Sequence, residues 1–128
     1  MYLFKTSGTT FRSVIKNEKH AFKNKPHDWH EDEIVLVSKN RSSLGPGEKQ
    51  IGYLMRIENI RLAPQSEINN YWPGNYGRWN YLVDCKDTTQ IAFPFDLEDL
   101  LKHEAKEYKS VMTFKKMHPS HEKIIMKY

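Results

Sequence analysis

The sequence predicts an α+β fold in which a curved, mixed or antiparallel sheet of five to six strands forms a half-open barrel flanked by short helices. Several apolar runs rich in β-branched and aromatic residues follow one another in the middle of the chain. The segments that join these runs lack helical periodicity, which favours a curved sheet with antiparallel pairing. Helical spacing occurs mainly before and after them.

The first half of the chain supplies two predicted strands and one helix. Residues 2–5 indicate a short first strand, and residues 11–19 carry apolar side chains at helical spacing behind Thr10 as a candidate cap. Residues 20–32 are polar and contain a proline, so we expect them to be irregular. Residues 33–38 include four consecutive aliphatic side chains, and a run that is apolar on both faces indicates a central strand.

The second half supplies the remaining strands and the closing helices. Residues 50–62 predict a long strand whose later part alternates, so one face is expected to meet water. Residues 80–86 and 90–93 predict two further strands. A helix is expected from about Asp96 to residue 105, and Ser120 is expected to cap a last short helix.

Length and composition set the class of protein. The chain has 128 residues, 38% of them hydrophobic, which predicts a single domain over residues 1–128. No apolar run approaches the roughly 18 residues of a membrane span, so we expect no membrane contact. The only cysteine, Cys85, excludes an internal disulfide and points to a reducing, cytoplasmic location. Because Cys85 lies in an apolar run, we predict a buried strand thiol.

Positive charge is concentrated in two segments. Residues 1–100 carry 13 Lys and Arg against 13 Asp and Glu, whereas residues 101–128 carry 7 Lys against 3 Glu. Residues 5–25 form a second basic segment. If the two segments meet, they form a cationic face typical of nucleic-acid binding, although a solvated surface explains the charge equally well. The candidate phosphate-binding side chains are Arg12, Lys16, Lys23, Lys25, Lys109, Lys115 and Lys116.

Residues 71–81 hold five aromatic side chains interleaved with Pro, Gly and Asn. Such residues form loops rather than regular elements, so the rings are expected to bind something flat. A nucleobase that stacks on an aromatic ring contributes roughly 1–3 kcal/mol. The loop therefore predicts a base-binding site, with an aromatic hot spot for a partner protein as an alternative.

Metal and catalytic signals are weak. His27 and His30, and likewise His118 and His121, have the i, i+3 spacing of a helical ligand pair. Neighbouring prolines favour surface polar residues, with a zinc site between the two pairs as the alternative. No phosphate-binding loop, nucleophile elbow or paired-carboxylate motif is present in the sequence, so we expect no cofactor and no metal.

Short matches along the chain resemble YTH domains and the related EVE domains of the PUA-like superfamily. The matching positions are residues 4–7, 11–16, Phe22, 51–55, the Trp72 to Trp79 loop and the strand that ends at Val83 and Asp84. The resemblance implies a PUA-like domain that flips a methylated base, such as N6-methyladenine, out of DNA or RNA into an aromatic cage. It also implies a restriction or RNA-processing partner protein. YTH domains normally have tryptophan at the first cage position, where this chain has Phe22.

Carried onto this sequence, the resemblance implies a base pocket without a catalytic step. Its walls would be Trp72 and Trp79 from the loop, with Phe22 or Trp29 on the opposite side, and its polar edge would be Lys5, Thr6, Ser7 and Asn40. Two other functional classes remain open. One is a small amidohydrolase or ribonuclease that resembles ASCH domains of the same superfamily and uses Lys5, Thr6 and Glu58; the other is a protein-interaction module.

Overall fold

A computed structural model describes residues 1–74, 77–111 and 113–127. Within these ranges six strands form: β1 (Tyr2–Thr6), β2 (Lys19–Phe22), β3 (Ile34–Lys39), β4 (Ile51–Leu62), β5 (Tyr81–Phe95) and β6 (Phe114–Lys116). The α-helices of the same ranges are α1 (Gly8–Asn17), α2 (Gln65–Tyr71), α3 (Leu97–Leu101), α4 (Lys106–Lys109) and α5 (Pro119–Met126). Short 3-10 turns occur at Arg41–Ser43 and Lys102–Ala105.

All described strands belong to one sheet in the order β2-β5-β4-β3-β1-β6. β1 pairs with β3 in parallel, and the other neighbours pair antiparallel. The crossover between β1 and β3 contains α1 and β2, so the parallel pair has the long connection that it requires. The mixed sheet with short helices confirms the predicted fold class.

The sheet curls until its two edges approach each other. The ring of Phe22, on edge strand β2, lies 4.8 Å from the ring of Phe114 on edge strand β6 and 4.9 Å from that of Phe4 on β1 (centroid distances). These edge-on aromatic contacts hold the half-barrel closed, because such pairs add to the burial of the rings.

Each face of the sheet is covered by its own apolar cluster. The inner cluster includes Val35, Val37 and Ile68 of α2, and the outer cluster includes Leu36 and residues of the helices that follow β5. Alternate residues of β3 therefore enter different clusters, as strand geometry requires. β3 lies between β4 and β1, which confirms the predicted central strand.

Some elements differ from the sequence prediction. The two strands expected over residues 80–93 are one strand, β5, whose backbone bends at Asp87 with φ of 55°. α1 begins at Gly8, so Thr10 lies inside its first turn instead of capping it. β2, β6 and α2 were not predicted. β2 and β6 are short and pair with β5 and β1, so sheet pairing rather than local propensity makes them strands.

Candidate functional site

An open cleft of about 310 Å³ lies between α1, the end of α2 and the segment that leads to β5. Tyr71 ends α2, and the backbone N–H of Trp72 donates to the Ile68 carbonyl at 3.0 Å, which fixes Trp72 at the helix end. Trp79 faces Trp72 from the far end of the segment. Tyr76, another ring of the predicted loop, lies outside the described residues. The described residues that line the cleft are Thr9, Thr10, Ser13, Tyr71, Trp72, Pro73, Gly74, Arg78 and Trp79.

The two indole rings form a corner rather than parallel walls. Their centroids are 5.5 Å apart and their planes are inclined by 74°. The Arg78 guanidinium lies 4.6 Å from the centre of the Trp79 ring, a cation–π distance. Trp72 is buried, whereas Trp79 is half-buried. A flat ligand can therefore stack on one indole while the edge of the other limits its depth.

The α1 side of the cleft is polar. Thr10 Oγ1 lies 2.5 Å from Thr6 Oγ1 and 3.0 Å from Ser7 Oγ, so these three hydroxyls form one hydrogen-bonded group. Ser13 Oγ donates to the Tyr71 carbonyl at 3.1 Å and ties α1 to the end of α2. The predicted residues Thr6 and Ser7 do not line the cleft themselves; they contact it indirectly, through their hydrogen bonds with Thr10.

β2 supplies the floor with His20 rather than Phe22. The two rings stack at 4.4 Å with an interplanar angle of 10°, and Phe22 then packs into the aromatic core against Phe4 and Phe114. His20 instead lines a cavity of about 10 Å³ together with Thr10, Trp72 and Trp79. The prediction that Phe22 forms a pocket wall is therefore corrected. His20 was missed because the sequence places it in a segment that looked irregular; the alternation with Phe22 in Lys19–Phe22 was the available signal.

A charged network holds α2 against the sheet. The Asp84 carboxylate accepts from Lys19 Nζ at 2.7 Å and from Arg61 Nε at 3.0 Å, and Arg61 also pairs with Glu67 of α2. Burial disfavours the charged form of Asp84, but the hydrogen bonds from Arg61 and Lys19 outweigh it and keep its pKa below the ordinary value. Lys19 also lies 5.7 Å from the centre of the Tyr71 ring.

Three other predicted pocket residues lie away from the cleft. Lys5 is buried on the opposite side of β1 from Thr6, in a small gap that it shares with Arg41 and Tyr108. Burial, aided by the charge of Arg41, lowers the pKa of Lys5. Trp29 is half-buried against the inner core and does not line the cleft. Asn40 contributes a backbone N–H, which donates to the Thr6 carbonyl at 2.9 Å.

The alternative catalytic set is not brought together. In the sheet register, Lys5 of β1 lies opposite Ser38 of β3, and Ser38 lies opposite Ile51 near the start of β4. Glu58 lies seven residues beyond Ile51 along β4, which at the rise per residue of a strand separates the two by about 20 Å. Because neighbouring side chains of a strand also alternate, Lys5 and Thr6 point to opposite faces.

The predicted phosphate-binding residues fall into two groups. Arg12 and Lys16 on α1, and Lys23 and Lys25 after β2, are exposed and make no ion pair with any described residue. In contrast, Lys109 pairs with Glu98, Lys116 pairs with the buried Glu33, and Lys115 lies 6.0 Å from the Tyr108 ring. Of these unpaired cations, Arg12 and Lys16 lie on α1, the helix that lines one side of the cleft, and Lys16 shares a helix face with Ser13.

The described part of the chain contains no group of His, Cys, Asp and Glu side chains suited to a metal ion. His121 is buried and its Nδ1 lies 2.5 Å from the Tyr108 hydroxyl and 3.1 Å from Glu107, while His118 lies 3.2 Å from Glu107. The two histidines therefore pack against Tyr108 and Glu107 between the helices that follow β5. The described helices are also too short and polar to cross a membrane.

Neither a family model nor a curated protein matches this sequence. Solved structures do: an ASCH protein from Zymomonas mobilis matches with a TM-score of 0.62 and 8% identity, over 98% of this chain and 93% of that one. Two point variants of that protein match with TM-scores of 0.63 and 0.66, both at 8% identity and 98% of this chain, over 96% and 94% of theirs. The chain has a PUA-like fold.

A PUA-like fold was expected, and the likeness to the ASCH structures confirms it at the level of the fold. The YTH or EVE type remains a prediction, because the matched structures are ASCH domains. At 8% identity the likeness shows the fold alone, so the chemistry of the site must be argued from the residues of this chain.

Proposed function

We propose that this protein binds a modified nucleobase of DNA or RNA in the Trp72–Trp79 cleft and has no catalytic step. The observation that carries the proposal is the pair of indole rings, which line an open cleft of about 310 Å³ beside a polar wall. The cleft is wide enough for one flat heterocycle, and base–aromatic stacking contributes roughly 1–3 kcal/mol per base. A methyl group adds about 0.8 kcal/mol when it is buried against such rings.

The charges around the cleft support a nucleic acid as the source of that base. Arg78 lies in the cleft lining, and Arg12 and Lys16 project from the helix that forms its polar wall. Exposed cations at the rim position a phosphate backbone without reading sequence. The phosphate contacts and stacking would offset the few kcal/mol that extrusion of a base from a duplex costs.

The hydrolase alternative receives less support from the geometry. Lys5, Thr6 and Glu58 do not converge, and no described residue in the cleft lining carries a carboxylate. The ASCH neighbours share the fold, which by itself assigns no reaction.

Fluorescence titration with methylated and unmodified oligonucleotides tests the proposal. Trp79→Ala removes the more accessible indole and is expected to weaken binding by about tenfold or more, as loss of one stacked base implies. Trp29→Ala is the matched control, because it removes a half-buried indole outside the cleft. If both variants bind like the wild type, the cleft is not the base site. Binding that responds to a protein partner but hardly to salt would favour the interaction-module alternative.

A further inference from the structure

The floor of the cleft carries two buried ring nitrogens that make no hydrogen bond of ordinary length and angle with the described residues. They are Nε1 of Trp72 and Nε2 of His20, whose side chains are 7% and 8% exposed. Both residues line the same cavity of about 10 Å³, and two further members of its lining, Thr10 and Trp79, also line the outer cleft. The cavity therefore adjoins the proposed base site on its inner side.

Both nitrogens are hydrogen-bond donors. The Trp72 indole nitrogen can only donate. His20 Nδ1 lies 2.8 Å from the Ala21 backbone nitrogen and 3.2 Å from the Ala21 carbonyl oxygen, and we assign Nδ1 as the acceptor of the shorter contact. Burial lowers the pKa of His20 to about 4, and backbone interactions with Ala21 and, outside ordinary hydrogen-bond geometry, with Lys5 offset only part of that effect. The ring is thus neutral at neutral pH, and with Nδ1 assigned as an acceptor its single proton lies on Nε2.

Buried donors without an acceptor are rare, and each exception calls for a missing partner such as a water or a ligand atom. The cavity that His20 and Trp72 line has room for about one water-sized atom. A carbonyl oxygen has this size and two lone pairs, so it can accept from both N–H groups. An amino group would bring a third donor to the same place, and a methyl group would leave both nitrogens unpaired.

We propose that the cleft selects nucleobases with an exocyclic carbonyl oxygen, which accepts hydrogen bonds from Trp72 Nε1 and His20 Nε2 at the floor. This inference rests on the proposed function and specifies its ligand class. Hypoxanthine, guanine and the pyrimidines present such an oxygen, and adenine does not. The methyl group of a modified base then lies against the outer aromatic wall, near Tyr71 and Trp79, rather than at the floor.

The test compares two purines that differ in the C6 substituent, an oxo group in hypoxanthine and an amino group in adenine, and in the N1 proton that accompanies the oxo form. Single-stranded oligonucleotides carry one central hypoxanthine or adenine between abasic positions, and a second pair carries N1-methylhypoxanthine or N6-methyladenine. We expect the oxo base of each pair to bind about tenfold more tightly or better, since the amino base leaves two buried donors unpaired.

Two variants separate the floor from the stacking surface. Trp72→Phe and His20→Phe each remove one N–H but keep an aromatic ring, and each is expected to lower the preference to about threefold or less. Trp79→Phe is the control: it reduces stacking for both bases and should preserve the preference. Thermal unfolding of every variant identifies loss of folding, and either floor variant suffices for the comparison.

The outcomes distinguish this inference from the function on which it rests. Equal affinity for the two bases, with the floor filled by water in both complexes, overturns carbonyl selection but leaves base binding intact. A preference that survives in both Trp72→Phe and His20→Phe overturns the assignment of the donors. Failure of every oligonucleotide to bind overturns the proposed function and this inference together.

Discussion

The indole rings of Trp72 and Trp79 meet edge to face, with centroids 5.5 Å apart and planes inclined by 74°. The arrangement gives the two residues different roles in packing and in ligand binding, which the sequence alone could not distinguish. Both residues line the cleft and the small cavity, but Trp72 is buried in the inner core, whereas Trp79 is half-buried and has the Arg78 guanidinium over its ring. Structural and ligand-binding contributions should therefore divide unequally between the two residues.

Truncation of the two tryptophans should separate stability from binding. Trp72→Ala removes a ring that is packed in the core, so we expect a loss of about 3–5 kcal/mol in the free energy of unfolding. Trp79→Ala should cost roughly 1–2 kcal/mol, because part of that ring already meets water. Urea denaturation measures both values. Equal losses would contradict the division of roles.

The salt dependence of nucleic-acid binding should identify the cations that contact phosphate. Arg12→Ala and Lys16→Ala should each reduce the slope of log K against log salt by about 1, because each removes one exposed cation beside the cleft. Lys109→Ala is the matched control, since Lys109 is paired with Glu98 and lies among the helices after β5. Titrations at several salt concentrations give the slopes. A larger effect at Lys109 than at Arg12 would place the phosphate path on another face.

The neutral, buried state of His20 predicts acid sensitivity. Its pKa in the folded protein is about 4, against an ordinary value of 6.5, and no charged side chain contributes to the shift. Above pH 6.5 the ring is neutral in both states, so it imposes no penalty. As the pH falls from 6.5 to 4, the unfolded chain takes up a proton that the folded protein excludes, and stability drops by roughly 3 kcal/mol.

Urea denaturation of wild type and His20→Phe between pH 7 and pH 4.5 measures this contribution. The wild type should lose more stability than the variant over that range, because only the wild type has the histidine to protonate. Parallel pH profiles for the two proteins would show that His20 is not a buried neutral group.

The Asp84 network should stabilise α2 and thereby the cleft. Asp84→Ala leaves Lys19 and Arg61 without their shared carboxylate, so we expect a loss of about 1–3 kcal/mol in unfolding free energy and weaker base binding. Asp99→Ala is the control: this exposed residue pairs only loosely with Lys49, at 3.5 Å, and should change stability by less than about 0.5 kcal/mol. Unchanged base binding by the Asp84→Ala variant would show that the network does not support the cleft.

Cys85 should be inert in the folded protein. Burial, aided by the carboxylates of Asp84 and Glu18, raises the pKa of its thiol to about 12. Because the thiolate is the reactive form, iodoacetamide at pH 8 should leave the native protein unmodified and label it only as urea unfolds it. Mass spectrometry follows the labelling. Rapid modification of the native protein would contradict the burial of β5 at this point.

Local patterns carried much of the fold. The sequence predicts β3, β4 and the start of β5 correctly. Each of these strands buries one or both faces, so its sequence shows either a period of two or a continuous apolar run. The buried strand position of Cys85 follows from the same pattern and is confirmed. α2 escaped prediction because it is short and polar, and it is held by Ile68 and by the Arg61–Glu67 pair.

The sequence by itself determined that aromatic rings cluster in one connecting segment and that a curved, mixed sheet supports them. Only the tertiary structure decided which rings share a surface. The curl of the sheet turns Phe22 into the core against Phe114, and the register of β2 on β5 sets His20 beside Trp72. Contacts of this kind join residues about 50 to 90 positions apart, so no local period records them.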